Sequence, residues 1–261
     1  MKRAEKAIIK KDIRGITSNR RLFSALWIVP LALTVVLPSI FVCVAHFAPD
    51  DPDVLALLEL LPGAANTESV ELAIAGIIFN YILPAFFLMI PIMTASVMAA
   101  SAFVGEKEKH TLETLLYCPL SVKEIFRAKV LASFLLSMLV SLVSFAAMLT
   151  VLGLESIFLM GSPLLPGGGW VIVLFLLSPA VSLIAVTLIV RNSARAQSVE
   201  ESQQSAVFLI IPVILLVVGQ FAGVMILNVW ILLGLSIVCA LLARLLLQRA
   251  VKRFTYEMLL K

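Results

Sequence analysis

Charge is scarce in this sequence, and none of it is firmly placed within the long apolar runs. Charged residues make up 14% of the 261 positions and hydrophobic residues 61%, whereas a soluble domain is about 25% charged and half apolar. An ion-coupled carrier normally needs a titratable group buried in a span. Here the runs offer only Asn80, Gln220, Asn228 and hydroxyls, with Arg244 about one turn from an end, so the driving energy must come from elsewhere. Three cysteines, Cys43, Cys118 and Cys239, lack CxxC spacing, which supports neither a disulfide framework nor a zinc site. No Gly-x-x-x-x-Gly-Lys-Ser/Thr occurs, so the chain carries no phosphate-binding loop of its own.

Bases are also missing from alternate polar stretches. All 20 Lys and Arg fall within residues 2–21, 107–129, 191–195 and 244–261. The stretches between carry Asp50, Asp51, Asp53, Glu59, Glu68, Glu71 and Glu155 and no base. Basic loops stay cytoplasmic, so the pattern predicts an even number of crossings with both termini inside. About 20 apolar residues span a hydrocarbon core of roughly 30 Å. Six spans are expected, at about 22–47, 76–104, 130–152, 170–190, 207–222 and 229–247. The last two are separated only by Gln220, Gly223 and Asn228, and reading 207–247 as one span would put the C-terminal bases outside. The first run is far longer than a signal-peptide h-region, so it is expected to stay as an uncleaved span. A net charge of +4 placed beside spans finds anionic headgroups as its partner, rather than nucleic acid.

Local patterns refine the picture. In the basic segment 1–21, Ile8, Ile9, Ile13 and Ile16 share a helical face, with Lys6, Lys10 and Arg14 on another. This predicts an N-terminal interfacial helix with its isoleucines at the acyl boundary. The first outer loop, about 48–75, is acidic, with Asp53 placed to cap a short leucine-rich helix that Pro62-Gly63 stops. The Gly-rich loop around Gly167-Gly168-Gly169 reads as a linker. Ser133, Ser137, Ser141 and Ser144 form one stripe on the third span. It suits close helix packing or a polar path, and packing is favoured because serine bonds cheaply back to its own helix. Gly219-x-x-x-Gly223 and Ala95-x-x-x-Ala99 are similar close-approach signals. Pro38, Pro84, Pro91, Pro179 and Pro212 predict helix irregularities.

The most distinctive hydrophilic segment runs from Gly105 through Glu106, Glu108, Thr111, Leu112, Glu113, Leu115, Leu116, Pro119, Leu120 and Ser121 to Lys129. Leu112, Leu115 and Leu116 make an i, i+3, i+4 apolar edge that Pro119 ends. Ser121 with Glu124 makes a capping box for a second helix that continues into the third span. An apolar edge between charged flanks suits docking into a partner's groove or lying on lipid.

This run resembles the loop between spans two and three of type-2 ABC exporter permeases. Their usual pattern is Glu-x-Glu-x-x-Thr-Leu-Glu-x-Leu-Leu, then Pro-Leu-Ser and a Lys at the next span. His110 stands where Gly is common. The stretch Glu200-Glu201-Ser202-Gln203-Gln204 is similar to that family's Glu-Ala-Gln-Gln, with Ser202 for Ala. The resemblance implies an all-α polytopic fold of six transmembrane helices, with an N-terminal elbow helix (1–21), a coupling loop (105–129) and a cytoplasmic tail (248–261). It also implies a location in a bacterial inner membrane, a separate ATPase subunit that binds ATP and magnesium, and a second permease copy or paralogous permease. Function is then outward, ATP-driven movement of an amphipathic or apolar cargo such as a lipid, drug or peptide. The alternatives are a sodium-exporting permease and a non-transporting regulatory subunit. A membrane enzyme would need a mid-membrane nucleophile with its base, or a metal cluster. Glu200-Glu201 lacks the Arg that follows in diglutamate proteases, and no histidine lies in the later spans.

Overall fold

Six helices in the computed structural model are long and apolar enough to cross a bilayer, and no strand occurs among the described residues. Those residues are 3–48, 70–108, 120–193, 196, 198–204, 206–222 and 228–253. Helix α1 (Arg3–Thr17) leads into the spans α2 (Leu22–Phe47), α3 (Val70–Glu108), α4 (Val122–Met160) and α5 (Gly168–Ser193). A short α6 (Val199–Gln204) precedes α7 (Val207–Phe221), and α8 (Val229–Arg253) follows. The expected all-α, six-span architecture is therefore present, with 207–247 divided into two helices. The expected capped helix at Asp53 lies outside the described residues.

Two spans run well beyond their expected bounds. Helices α3 and α4 have 39 residues each, about 58 Å at 1.5 Å per residue, where about 20 residues suffice for the hydrocarbon. The apolar stretches 76–104 and 130–152 mark the part that lipid requires. The helical hydrogen-bond ladder has no reason to stop there, and in α4 it continues until a cap ends it. At the start of α4 the Ser121 side chain accepts from Glu124 N while Glu124 accepts from Ser121 N at 2.9 Å, so the capping box forms as expected. At its other end Gly161 takes φ +72°, a left-handed cap whose N–H bonds Ile157 O; that conformation disfavours a side chain.

Prolines leave a repeated signature. Pro38, Pro84 and Pro179 each follow by two residues a π-helical segment: Ala32–Val36, Ile78–Ile82 and Val173–Leu177. Proline has no N–H, and its ring collides with the carbonyl four residues back. Widening the preceding turn moves that carbonyl aside. In all three cases the residue just before the proline donates its N–H five residues back, Leu37 to Ala32, Leu83 to Ile78 and Ser178 to Val173. Pro212 is accommodated inside α7 without such a segment.

Helix α3 forms the centre. Its most apolar window is 72% buried, against 17% for α8, because α4, α5, α6 and α7 all pack on it. Ala95 and Ala99 are fully buried there, as close approach requires. Towards the end carrying Phe47 and Val70, Trp170 is enclosed by Phe79, Phe87 and Phe145 and donates its indole N–H to Phe79 O at 3.2 Å. His46 Nδ1 lies 2.8 Å from Glu71 Oε2 and ties α2 to α3 at the same end. Helices α7 and α8 expose Phe208, Leu215, Trp230 and Leu241, outward faces suited to lipid or to another subunit.

Candidate functional site

At the opposite, basic end of the bundle, α1, α3 and α4 meet over a group of charges. In α1, Ile8, Asp12 and Ile16 recur at i, i+4 and i+8 and are all buried. Ile8 packs with Leu120, Ile125 and Ala128 around the start of α4, and Ile16 joins the main core. This changes the expected role of the isoleucine face. All of it meets protein, Ile8 and Ile16 buried and Ile9 and Ile13 half-buried against the core, because α1 lies directly on α4. Lys6, Lys10 and Arg14 stay exposed on its other side.

The last turns of α3 supply Phe103 and Glu106, and the Ser121 cap fixes α4 so that Ile125 and Lys129 face them. Lys129 Nζ donates to Glu106 Oε2 at 2.8 Å and to the Ala102 carbonyl. It lies 5.5 Å above the Phe103 ring and 3.9 Å from Asp12 Oδ2. Lys11 donates to Glu106 Oε1 and lies 3.5 Å from Asp12 Oδ1. Lys129 is only 2% exposed, and Asp12 and Glu106 are each 7%. Two cations and two carboxylates thus form a formally neutral group, closed on one side by the half-exposed Lys11, whose three buried members would each be costly to bury alone. Burial raises the Asp12 carboxyl above the usual carboxylate range, although Lys129 and Lys11 pull it down. Burial also opposes the charge on Lys11, but the hydrogen bond and charge of Glu106 hold it above its ordinary value.

The cluster sits at the root of the 105–129 loop and clamps its two ends together. Nearby, α6 packs on α3: Val199 Cγ2 comes within 3.6 Å of where a Cβ on Gly105 would lie, and Ser202 is fully buried. Both loops on this face are thereby anchored to the same helix end. The arrangement contains no nucleophile–base pair, and no group of metal-binding side chains occurs among the described residues. It can transmit force and hold shape.

Of the residues the sequence singled out in this loop, Glu106 turns inward to Lys11 and Lys129 rather than outward. Glu108 is exposed at the end of α3, Leu120 is buried against Ile8, and Ser121 is the exposed helix cap. Thr111, Leu112, Glu113, Leu115, Leu116 and Pro119 lie outside the described residues. Sequence reading missed Asp12, an acid within a basic tail; its i, i+4, i+8 spacing with Ile8 and Ile16 was the available signal.

The serine stripe is wholly buried. Ser137 donates to Pro91 O on α3 at 3.2 Å and accepts from Ser182 on α5 at 3.1 Å, with Thr94 of α3 at 3.2 Å. Ser133 bonds back to Lys129 O at 3.0 Å, whereas the Ser141 and Ser144 hydroxyls have no partner among the described residues. Ser137 therefore joins three spans, which is what an interface stripe does. Gly219 is half-buried in α7 and Gly223 lies outside the described residues. The adjacent Gln220 instead reaches α3, donating to Tyr81 O at 2.5 Å within a π-helical segment.

A family model described as "ABC-2 family transporter protein" matches residues 66–251. No curated protein and no solved structure matches the chain.

Proposed function

The chain belongs to the ABC-2 family of transporter proteins and is a transmembrane subunit of an ABC transporter, and from this premise we propose that it is the permease of an exporter that moves an amphipathic or apolar cargo outward. Membership implies an ABC ATPase partner. ATP and magnesium are bound and ATP is hydrolysed on that separate chain, and a second permease, identical or paralogous, completes the path. The membrane is a bacterial inner membrane, and both termini are cytoplasmic.

The observation that carries this reading is the neutral ion cluster at the root of the 105–129 loop. Docked in an ATPase groove through Leu112, Leu115, Leu116 and Pro119, the loop acts as a coupling element. Because Glu106 and Lys129 bridge its ends and α1 braces them, displacement of the loop moves α3 and α4 together. Packed interfaces of this kind switch between discrete arrangements rather than deform continuously. The cargo preference rests on the spans themselves. Their buried polar groups are mainly hydroxyls and amides, several spent on helix carbonyls, so a compact ion shedding water would find no strong compensating ligands.

Two measurements test the proposal. For orientation, single cysteines at Gly168 should react with an impermeant reagent from outside, while those at Ser198 and Lys252 stay protected. Labelling of Lys252 from outside would reverse the placement of the C-terminal bases. For function, the chain co-purified with its ATPase and placed in lipid vesicles should show ATP hydrolysis stimulated by amphipathic peptides or apolar drugs. Stimulation by sodium alone would replace the cargo assignment with sodium export. A complex that responds to no cargo, yet whose ATPase depends on this chain, would indicate a regulatory subunit.

A further inference from the structure

Between the basic-end halves of α4 and α8, with α5 as its floor, lies a groove of about 800 Å³, within the size range of small-molecule sites. Its wall on α4 follows one helical stripe, Arg127, Leu131 and Phe134, at i, i+4 and i+7. On α8 the lining residues include Val251 and Lys252, and Leu183 of α5 lies beneath. Arg127 and Lys252 are exposed at its mouth, neither has an ion-pair partner among the described residues, and no carboxylate lines the groove. From Arg127 to Phe134 the trough runs about 10 Å along the helix axis at 1.5 Å per residue, roughly a third of the hydrocarbon thickness.

We propose that this groove is a binding site for one anionic phospholipid, with the headgroup phosphate held by Arg127 and Lys252 and an acyl chain lying along Leu131, Phe134 and Val251. Three features select this occupant. The two cations sit at one end of an otherwise apolar trough, the polarity of a phospholipid. The trough follows the direction of a spanning helix, which is also the direction of an acyl chain. No carboxylate lines the groove to neutralise the two cations, so a bound phosphate would supply the counter-charge. With the orientation proposed above, the mouth lies at the cytoplasmic leaflet, whose surface is anionic. Since α4 carries Lys129 and begins at the coupling loop, a lipid wedged between α4 and α8 would stabilise one relative position of these helices.

The test is native mass spectrometry of the purified chain in mixed micelles containing equal phosphatidylglycerol and phosphatidylcholine. The wild type should retain one tightly held phosphatidylglycerol in preference to phosphatidylcholine. Near a charged surface each base contributes about a fivefold gain in affinity, so R127A/K252A should weaken this retention roughly thirtyfold. Leu131→Trp, which fills the trough and leaves the charge unchanged, should abolish it. K10A/R20A removes two charges from a different surface and should leave it intact. Equal retention of phosphatidylcholine, or equal loss in K10A/R20A, would overturn the site as a specific one. Displacement of the lipid by inorganic phosphate alone would reduce it to a simple anion site. If L131W leaves lipid retention unchanged but converts a dimer to a monomer, the groove belongs to a second copy of the chain instead. None of these readouts depends on ATPase coupling or cargo, so the site stands or falls separately from the transport proposal.

Discussion

Lys129→Ala should lower stability by about 3–5 kcal/mol, the usual consequence of removing one partner from a buried ion pair. Lys129 is 2% exposed and holds Glu106 Oε2 at 2.8 Å. Without it, Glu106 and Asp12 would share the half-exposed Lys11 alone, leaving one buried carboxylate uncompensated. The expected readout is a fall in the thermal unfolding midpoint on the order of 10 °C, scaled from soluble domains. The double change K129M/E106Q removes one charge of each sign and leaves Lys11 and Asp12 to balance each other, so it should recover much of the loss. Neutralising a buried pair with groups of similar volume is often close to neutral. Wild-type thermal behaviour in K129A would show that the cluster does not hold α1, α3 and α4 together.

Changing Leu115 and Leu116 together to Ser should remove most of the stimulation of the partner ATPase while leaving this chain folded and inserted. Buried apolar anchors dominate the cost of truncating an interface, at about 2 kcal/mol or more each, so the pair corresponds to a hundredfold or greater loss of affinity. Glu108→Gln, an exposed charge at the loop's edge, should mainly change association rate and salt dependence. Glu106→Gln separates coupling from folding, since its partners are Lys11 and Lys129 within the chain. It should lower the unfolding midpoint as well as activity, whereas L115S/L116S should lower activity alone. An intact, fully stimulated complex in L115S/L116S would remove the loop from the coupling role.

Much of the fold was legible because hydropathy and charge act locally. A run of about 20 apolar residues specifies a span whatever surrounds it. The division of 207–247 into two helices followed from where the bases at 244–261 had to lie. The Ser121–Glu124 capping box could be read directly, since both partners sit within one turn. The boundaries of α3 and α4 were not legible in this way: hydropathy marks where lipid begins, and the helical ladder continues past that point to Glu108 and Met160. The π-helical segments were only half legible. Proline predicts an irregularity, but whether the chain kinks or widens depends on what packs around it, as the contrast between Pro84 and Pro212 shows.

By itself, then, the sequence determined the helical membrane class and the six helices long and apolar enough to cross a bilayer, because each depends on residue type and spacing along the chain. Only the tertiary structure decided which charges are buried. Asp12, Glu106 and Lys129, with the half-exposed Lys11, are spread over more than a hundred positions; the spacing of Asp12 with Ile8 and Ile16 marks its face of α1, but nothing along the chain pairs it with Glu106 or Lys129. They become a neutral cluster because α1 folds across the junction of α3 and α4. Only that three-way contact excludes water and makes an opposite charge at about 3 Å worth more to each group than its hydration.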